Sequence, residues 1–151
     1  MLTDNITSRD TLTAKERDYV RRVCRKLKEN GTVLDMTAHI SMHEGEMQYC
    51  KEVIRIAYEE GVDFVVGTDF FGNAMYEEIM HLKDCGISNR DILHAATVTG
   101  AEVLGMEGKI GTIKTGAEGD LLVLDSDPFQ DISTLNRIEK TIISGRNAYC
   151  R

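Results

Sequence analysis

From Thr13 to Gly67 the chain alternates between two hydrophobic spacings, and that alternation admits few folds. Thr13-Ala14-Lys15-Glu16 has the form of a capping box, in which each end side chain satisfies an otherwise orphan backbone N–H and so starts a helix. Tyr19, Val20, Val23, Cys24 and Leu27 then recur at three-to-four spacing, and Gly31 can take the left-handed conformation that ends a helix. Thr32 to Thr37, rich in Val, Leu and Thr, follows as a β segment. A second amphipathic helix, Glu44 to Glu60, places Met47, Cys50, Val53, Ile54 and Ala57 on one face and stops at Gly61. Val62 to Gly67 has a continuous Phe-Val-Val core, which predicts a strand buried on both faces. A third helix runs from Asn73 to Asp84 and ends near Gly86. Strands that alternate with helices imply a parallel sheet with covered faces, so the fold class is α/β.

The pattern then changes. A second capping box, Ser88-Asn89-Arg90-Asp91, opens a helix that passes through His94, Ala95 and Ala96 to Leu104. From Gly105 onward the periodicity is β-like: Lys109 to Lys114, a turn over Thr115 to Gly119, and a strand over Asp120 to Asp125. Pro128 sits in the polar connector Asp125 to Asp131, where a loop favours it. Ile138 to Ser144 and Asn147 to Cys150 read as a hairpin turning at Gly145-Arg146. A β module thus follows an α/β module, with the division between residues 1–104 and 105–151.

Charge and composition remove several classes of partner. Acidic residues outnumber basic ones by 25 to 18, so no overall positive field exists to collect phosphate backbones, and nucleic acid is not expected. Arg21, Arg22, Arg25, Lys26 and Lys28 lie among acids on the first helix and read as a solvated face. No apolar run approaches the roughly 20 residues that span a bilayer, and the first ten residues lack an apolar signal core. Cys24, Cys50, Cys85 and Cys150 are too widely spaced for a C-x-x-C metal knuckle. They are expected as reduced thiols of a cytoplasmic protein.

Chemistry concentrates at Gly67-Thr68-Asp69, where a carboxylate follows a buried parallel strand. At the carboxyl end of such a strand the βα loops of a barrel converge, and active sites lie there. On the tripeptide alone, a cap for the loop or helix that follows is the simpler reading of Asp69. His39 and His43 lie just beyond the preceding strand, near the same face, and at i, i+4 spacing they are candidates to touch substrate. The H-E-x-x-H order of zinc proteases is not met there, and both also suit plain loop positions. His81 and His94 fall inside amphipathic helices, where a packing role is the simpler reading.

The order of motifs after Asp69 resembles the end of the amidohydrolase superfamily over residues 32 to 147, nearest its imidazolonepropionase and Xaa-Pro dipeptidase branch. His94-Ala95-Ala96-Thr97 matches an A-A-T helix, and Ala101-Glu102-Val103-Leu104-Gly105 matches its A-x-x-L-G close. Gly111 to Leu121 then follows G-x-I-x-x-G-x-x-A-D-L, departing only at Gly119, where the family usually has alanine. Val123-Leu124-Asp125, Asp127-Pro128-Phe129 and Ile142 to Arg146 continue in register. The resemblance implies a partial (β/α)8 barrel, its last two βα units, within residues 1–104. Residues 105–151 would supply strands of the small β-sandwich beside it.

What the resemblance implies chemically is a metal-dependent hydrolase of carbon–nitrogen bonds in a cyclic amide or small peptide. A divalent metal, usually zinc, would activate the attacking water, with Asp69 as metal ligand and proton carrier. That site also needs an H-x-H pair and further histidines from earlier strands, and no H-x-H occurs in this chain. The short Phe70 to Asn73 loop also lacks the histidine that many relatives carry there. The chain therefore reads as a carboxy-terminal fragment, inactive alone, whose partner is a small-molecule substrate. The rival expectations are a non-catalytic remnant that joins another chain through its open sheet edge, and an unrelated α/β binding module in which Asp69 only caps; a homo-oligomer is a further partner expectation.

Overall fold

The computed structural model describes residues 11–39, 47–70 and 72–150. They belong to two compact units, Met1–Ile87 and Ser88–Arg151.

In the first unit the capping box forms as its sequence requires. Thr13 Oγ1 accepts the Glu16 N–H at 3.3 Å, and Glu16 Oε2 accepts the Thr13 N–H at 2.8 Å. Helix α1 then spans Ala14–Glu29, and Gly31 closes it at φ 63°. Strand β1 is Leu34–Met36, helix α2 is Met47–Glu59, strand β2 is Phe64–Val66 and helix α3 is Ala74–Asp84. Residues 44–46, where the periodicity predicts the start of α2, lie outside the described residues. The two strands pair in parallel, with Leu34 opposite Phe64 and Met36 opposite Val66. Each is shorter than its β-rich segment. Of the Phe-Val-Val core only Phe64 is buried, while Val65 and Val66 are half-buried, so the expectation of a strand covered on both faces is met only at Phe64.

Ile54, Ile56 and Ala57 of α2, Val62 and Phe64 around β2, and Ile79 and Leu82 of α3 make the core of this unit. Ile56 lies off the predicted α2 face, because a helix packed on more than one side buries a broader arc than one amphipathic stripe. The basic residues of α1 form a solvated face as expected, with Arg22, Arg25, Lys26 and Lys28 exposed and Arg21 half-buried, and that face also carries ion pairs. Arg21 and Arg25 bond Glu60, and Arg21 also reaches Glu59, while Arg17 pairs with Glu52. These pairs fix how α1 lies on α2. Their exposure to solvent screens each pair, so the contacts orient the helix more than they stabilise it.

The second unit begins with α4, Asn89–His94, where Ser88 Oγ accepts the Asp91 N–H at 3.1 Å. The helix widens into a π turn at Ala95–Thr99 before α5, Gly100–Val103. Lys109 to Lys114 forms no strand, contrary to its β-like pattern. Gly108 and Gly111 take positive φ, and the Lys109 and Ile110 N–H groups both bond Met106 O, so this backbone is committed to a tight turn with a single Glu107–Ile110 bridge. Strands β3, Leu121–Leu124, β4, Ile138–Ile143, and β5, Arg146–Cys150, make an antiparallel sheet in that order. The β4–β5 hairpin turns through Ser144 and Gly145 at φ 49° and 74°, the two positive angles of a type I′ loop. Asp120 Oδ1 accepts the Ser144 N–H at 2.7 Å and ties that turn to the start of β3. A 3₁₀ turn, Ile132–Asn136, follows the Pro128 connector and buries Ile132 and Thr134. Among the described residues no helix is long and apolar enough to cross a membrane.

Candidate active site

Both strands of the parallel pair end at the same edge of the first unit, and the register carries past them. Met36 faces Val66, so His39 and Asp69 each stand three residues beyond a paired position. The sharp turn after β2 is set by Thr68, whose Oγ1 accepts the Phe70 N–H at 3.2 Å and donates to Phe70 O at 3.0 Å. At the centre of that turn Asp69 has φ 48°, a left-handed angle that Asp tolerates better than most side chains. Its carboxylate is exposed, and no hydrogen bond or ion pair among the described residues engages it. The N-cap position of α3 is held by Asn73, not Asp69.

Gly67 has a steric reason. A Cβ there would lie 2.1 Å from Asp35 Oδ1, so the missing side chain lets the Asp35 carboxylate lie across β2.

His39 is 4 % exposed, which places its ring in the protein rather than in a loop facing solvent. It lies 5.7 Å from the Phe70 ring and 6.1 Å from the His81 ring, centroid to centroid, and its Nδ1 is 3.3 Å from Glu77 Oε2. The structure thus brings His39 beside the residue that follows Asp69. His43 lies outside the described residues. His81 belongs to this cluster, with its pKa lowered by burial and by nearby His39. His94 lies in the second unit, where Nδ1 meets Thr99 Oγ1 at 3.1 Å across the π turn, a packing role.

The main residue missed from the sequence is Glu78. It is fully buried, and its carboxylate takes the Ala38 N–H at 3.1 Å and the His39 N–H at 2.6 Å. Burial pushes its pKa up to about 7 against the opposing effect of those two bonds, and Asp35 adds to the rise. Its position was partly legible, because Ala74, Glu78 and Leu82 are spaced by four on one stripe of α3. Cys24 and Cys85 are buried free thiols. Burial pushes Cys85 up to about 12, which leaves it unreactive near neutrality.

Among the described residues no three His, Cys, Asp or Glu side chains gather closely enough to hold a metal ion. Asp69 can supply one donor, and these residues do not fit a metal by themselves.

The chain is 28% identical to the imidazolonepropionase of Thermoplasma acidophilum over 101 residues, 62% of this chain and 25% of that protein. It is also 28% identical to the 5'-deoxyadenosine deaminase of Methanobrevibacter smithii over 76 residues, 50% of this chain and 18% of that one. Its fold matches a crystal structure of a Xaa-Pro dipeptidase with methionine bound in its active site, at a TM-score of 0.73 and 23% identity, over 93% of this chain and 38% of that chain. The chain therefore spans less than two fifths of the length of each of these proteins. The model of the amidohydrolase family matches residues 11–148, from the cap of α1 through the Asp69 turn to β5, and the chain belongs to that family.

Proposed function

We propose that this chain supplies the proton-carrying carboxylate of a metal-dependent hydrolase that cleaves a carbon–nitrogen bond in a cyclic amide or small peptide. The observation that carries this reading is Asp69 itself. It stands at the carboxyl end of a parallel strand, exposed and without a hydrogen-bond or ion-pair partner among the described residues, in a family whose relatives are hydrolases. The remaining metal donors would come from outside the described residues, and zinc is the metal proposed.

The part Asp69 can play follows from its chemistry. As a carboxylate it accepts the proton of the attacking water, and as the resulting acid it delivers that proton to the departing nitrogen. An amide nitrogen leaves poorly until it is protonated, so one group that performs both transfers serves attack and departure. The strand end and the Thr68 turn set where the Asp69 backbone stands, from which its carboxylate can reach both positions.

A second reading, a non-catalytic chain that pairs with another polypeptide, is favoured by the two-stranded sheet, whose outer edges are unpaired among the described residues. One experiment separates the two. The complete enzyme is assayed on a cyclic amide and on a dipeptide, with zinc supplied and then removed by a chelator. The expected result is turnover of one substrate class that is lost on chelation and restored by added metal. Turnover that survives chelation rules out the metal-dependent reading. No turnover with metal present, together with stable association of two chains in sedimentation, selects the second.

A further inference from the structure

We infer that Glu78 is the positioning residue of this site, clamping the backbone N–H groups of Ala38 and His39 so that the His39 ring is fixed beside Phe70, next to Asp69. The inference rests on the reading of Asp69 as the working carboxylate. A buried charge is costly unless hydrogen-bonded, and Glu78 is held by two consecutive backbone donors just past the end of β1. Each oxygen takes one N–H, at 3.1 Å and 2.6 Å, so the side chain fixes the direction in which the chain leaves the strand. His39 then meets Phe70 at 5.7 Å, while Glu77 and His81 on α3 close round the other sides of its ring. A leucine at this position of the buried stripe would fill the volume and leave both N–H groups unanswered.

The clamp weakens when it is protonated. A carboxylate accepts at both oxygens, whereas a carboxylic acid must donate from one of them. Burial brings this change to about pH 7. Asp35 is the charged neighbour acting on Glu78, and His39, Glu77 and His81 complete the titratable cluster, with Lys51 and Asp84 acting on His81. The effect on whole-molecule stability has the opposite sign. A raised folded pKa contributes stability that is fully present below the ordinary value of 4.5 and is lost as the pH rises through about 7. Acidification through this window therefore loosens residues 38 and 39 while Glu78's own contribution to global stability grows. General loosening of the fold cannot imitate that combination.

The test measures amide hydrogen exchange in the whole 151-residue chain, residue by residue, for the parent and for Glu78→Gln. Glutamine keeps the shape but has one acceptor oxygen, so exchange at Ala38 or His39 should quicken by at least about ten-fold, with Val65 in β2 changing by less than about two-fold. In the parent, protection at these two amides, corrected for the intrinsic pH dependence of exchange, should fall as the pH drops through about 7, and in Glu78→Gln it should be flat. Equal protection in a folded Glu78→Gln overturns the inference, and so does a parent profile flat through this range. Should Glu78→Gln not fold, the parent profile alone decides. None of these readouts uses turnover, so their failure leaves the role of Asp69 untouched.

Discussion

Replacing Asp69 by asparagine in the complete enzyme should lower turnover by about 10²–10⁴-fold, the usual contribution of a general acid–base group, with little change in folding. Asparagine has nearly the same shape and tolerates the left-handed φ of 48° as readily as aspartate, so the turn is kept. What is lost is the negative charge and the ability to take and return a proton. Stability should shift by no more than about 0.5 kcal/mol, because the carboxylate is exposed and bonds nothing among the described residues. Thr68→Ser provides the comparison, since it keeps the hydroxyl that bonds Phe70 N–H and should stay near parental in both respects. Turnover is measured at saturating substrate with zinc supplied, and melting is followed for each protein. Near-parental turnover in Asp69→Asn, with its metal content unchanged, would remove Asp69 from the mechanism and leave only family membership.

The elements legible in the sequence are those whose signals are local. Thr13 with Glu16, Ser88 with Asp91, and glycines 31, 61 and 86 mark helix ends through bonds and angles within a few residues, and each helix boundary they imply is found. The parallel pairing of β1 with β2 follows from the helix between them, since a crossover of that length suits parallel strands. What the sequence did not disclose depends on contacts distant along the chain. Arg21 and Arg25 do lie on a solvated face, but nothing near them in sequence announces their partners Glu59 and Glu60 at the end of α2. The π turn at Ala95–Thr99 and the bonds that turn residues 106–110 back on themselves have no periodicity of their own. For the site, the position of Asp69 was legible from strand and motif. The burial of His39 and the clamp by Glu78 were not, because they require α3 to lie across the end of β1.

Gly111→Ala should destabilise the second unit by about 3–5 kcal/mol, combining the cost of a left-handed angle with that of a close contact. Gly111 has φ 70°, and an added Cβ would lie 2.3 Å from Thr97 O and 2.7 Å from Thr97 C. These are main-chain atoms of the π turn, which cannot swing aside as a side-chain tip can. Relief would require moving the helix or the whole turn that follows Met106, and Ala101 Cβ at 3.2 Å closes one direction of retreat. Gly116→Ala isolates the conformational part. Gly116 has φ 90°, and nothing lies within 4 Å of the place an alanine methyl would take, so only the backbone cost of about 1–2 kcal/mol applies. Urea unfolding of the two variants and the parent, followed by circular dichroism, gives the comparison directly. The difference between the variants measures how closely the turn approaches the helix, which is the physical reason for glycine at the head of the Gly111-Thr112-Ile113 motif. Equal midpoints for Gly111→Ala and Gly116→Ala would mean that the turn does not lie against the π turn in solution, and that the glycine serves only its own backbone angle.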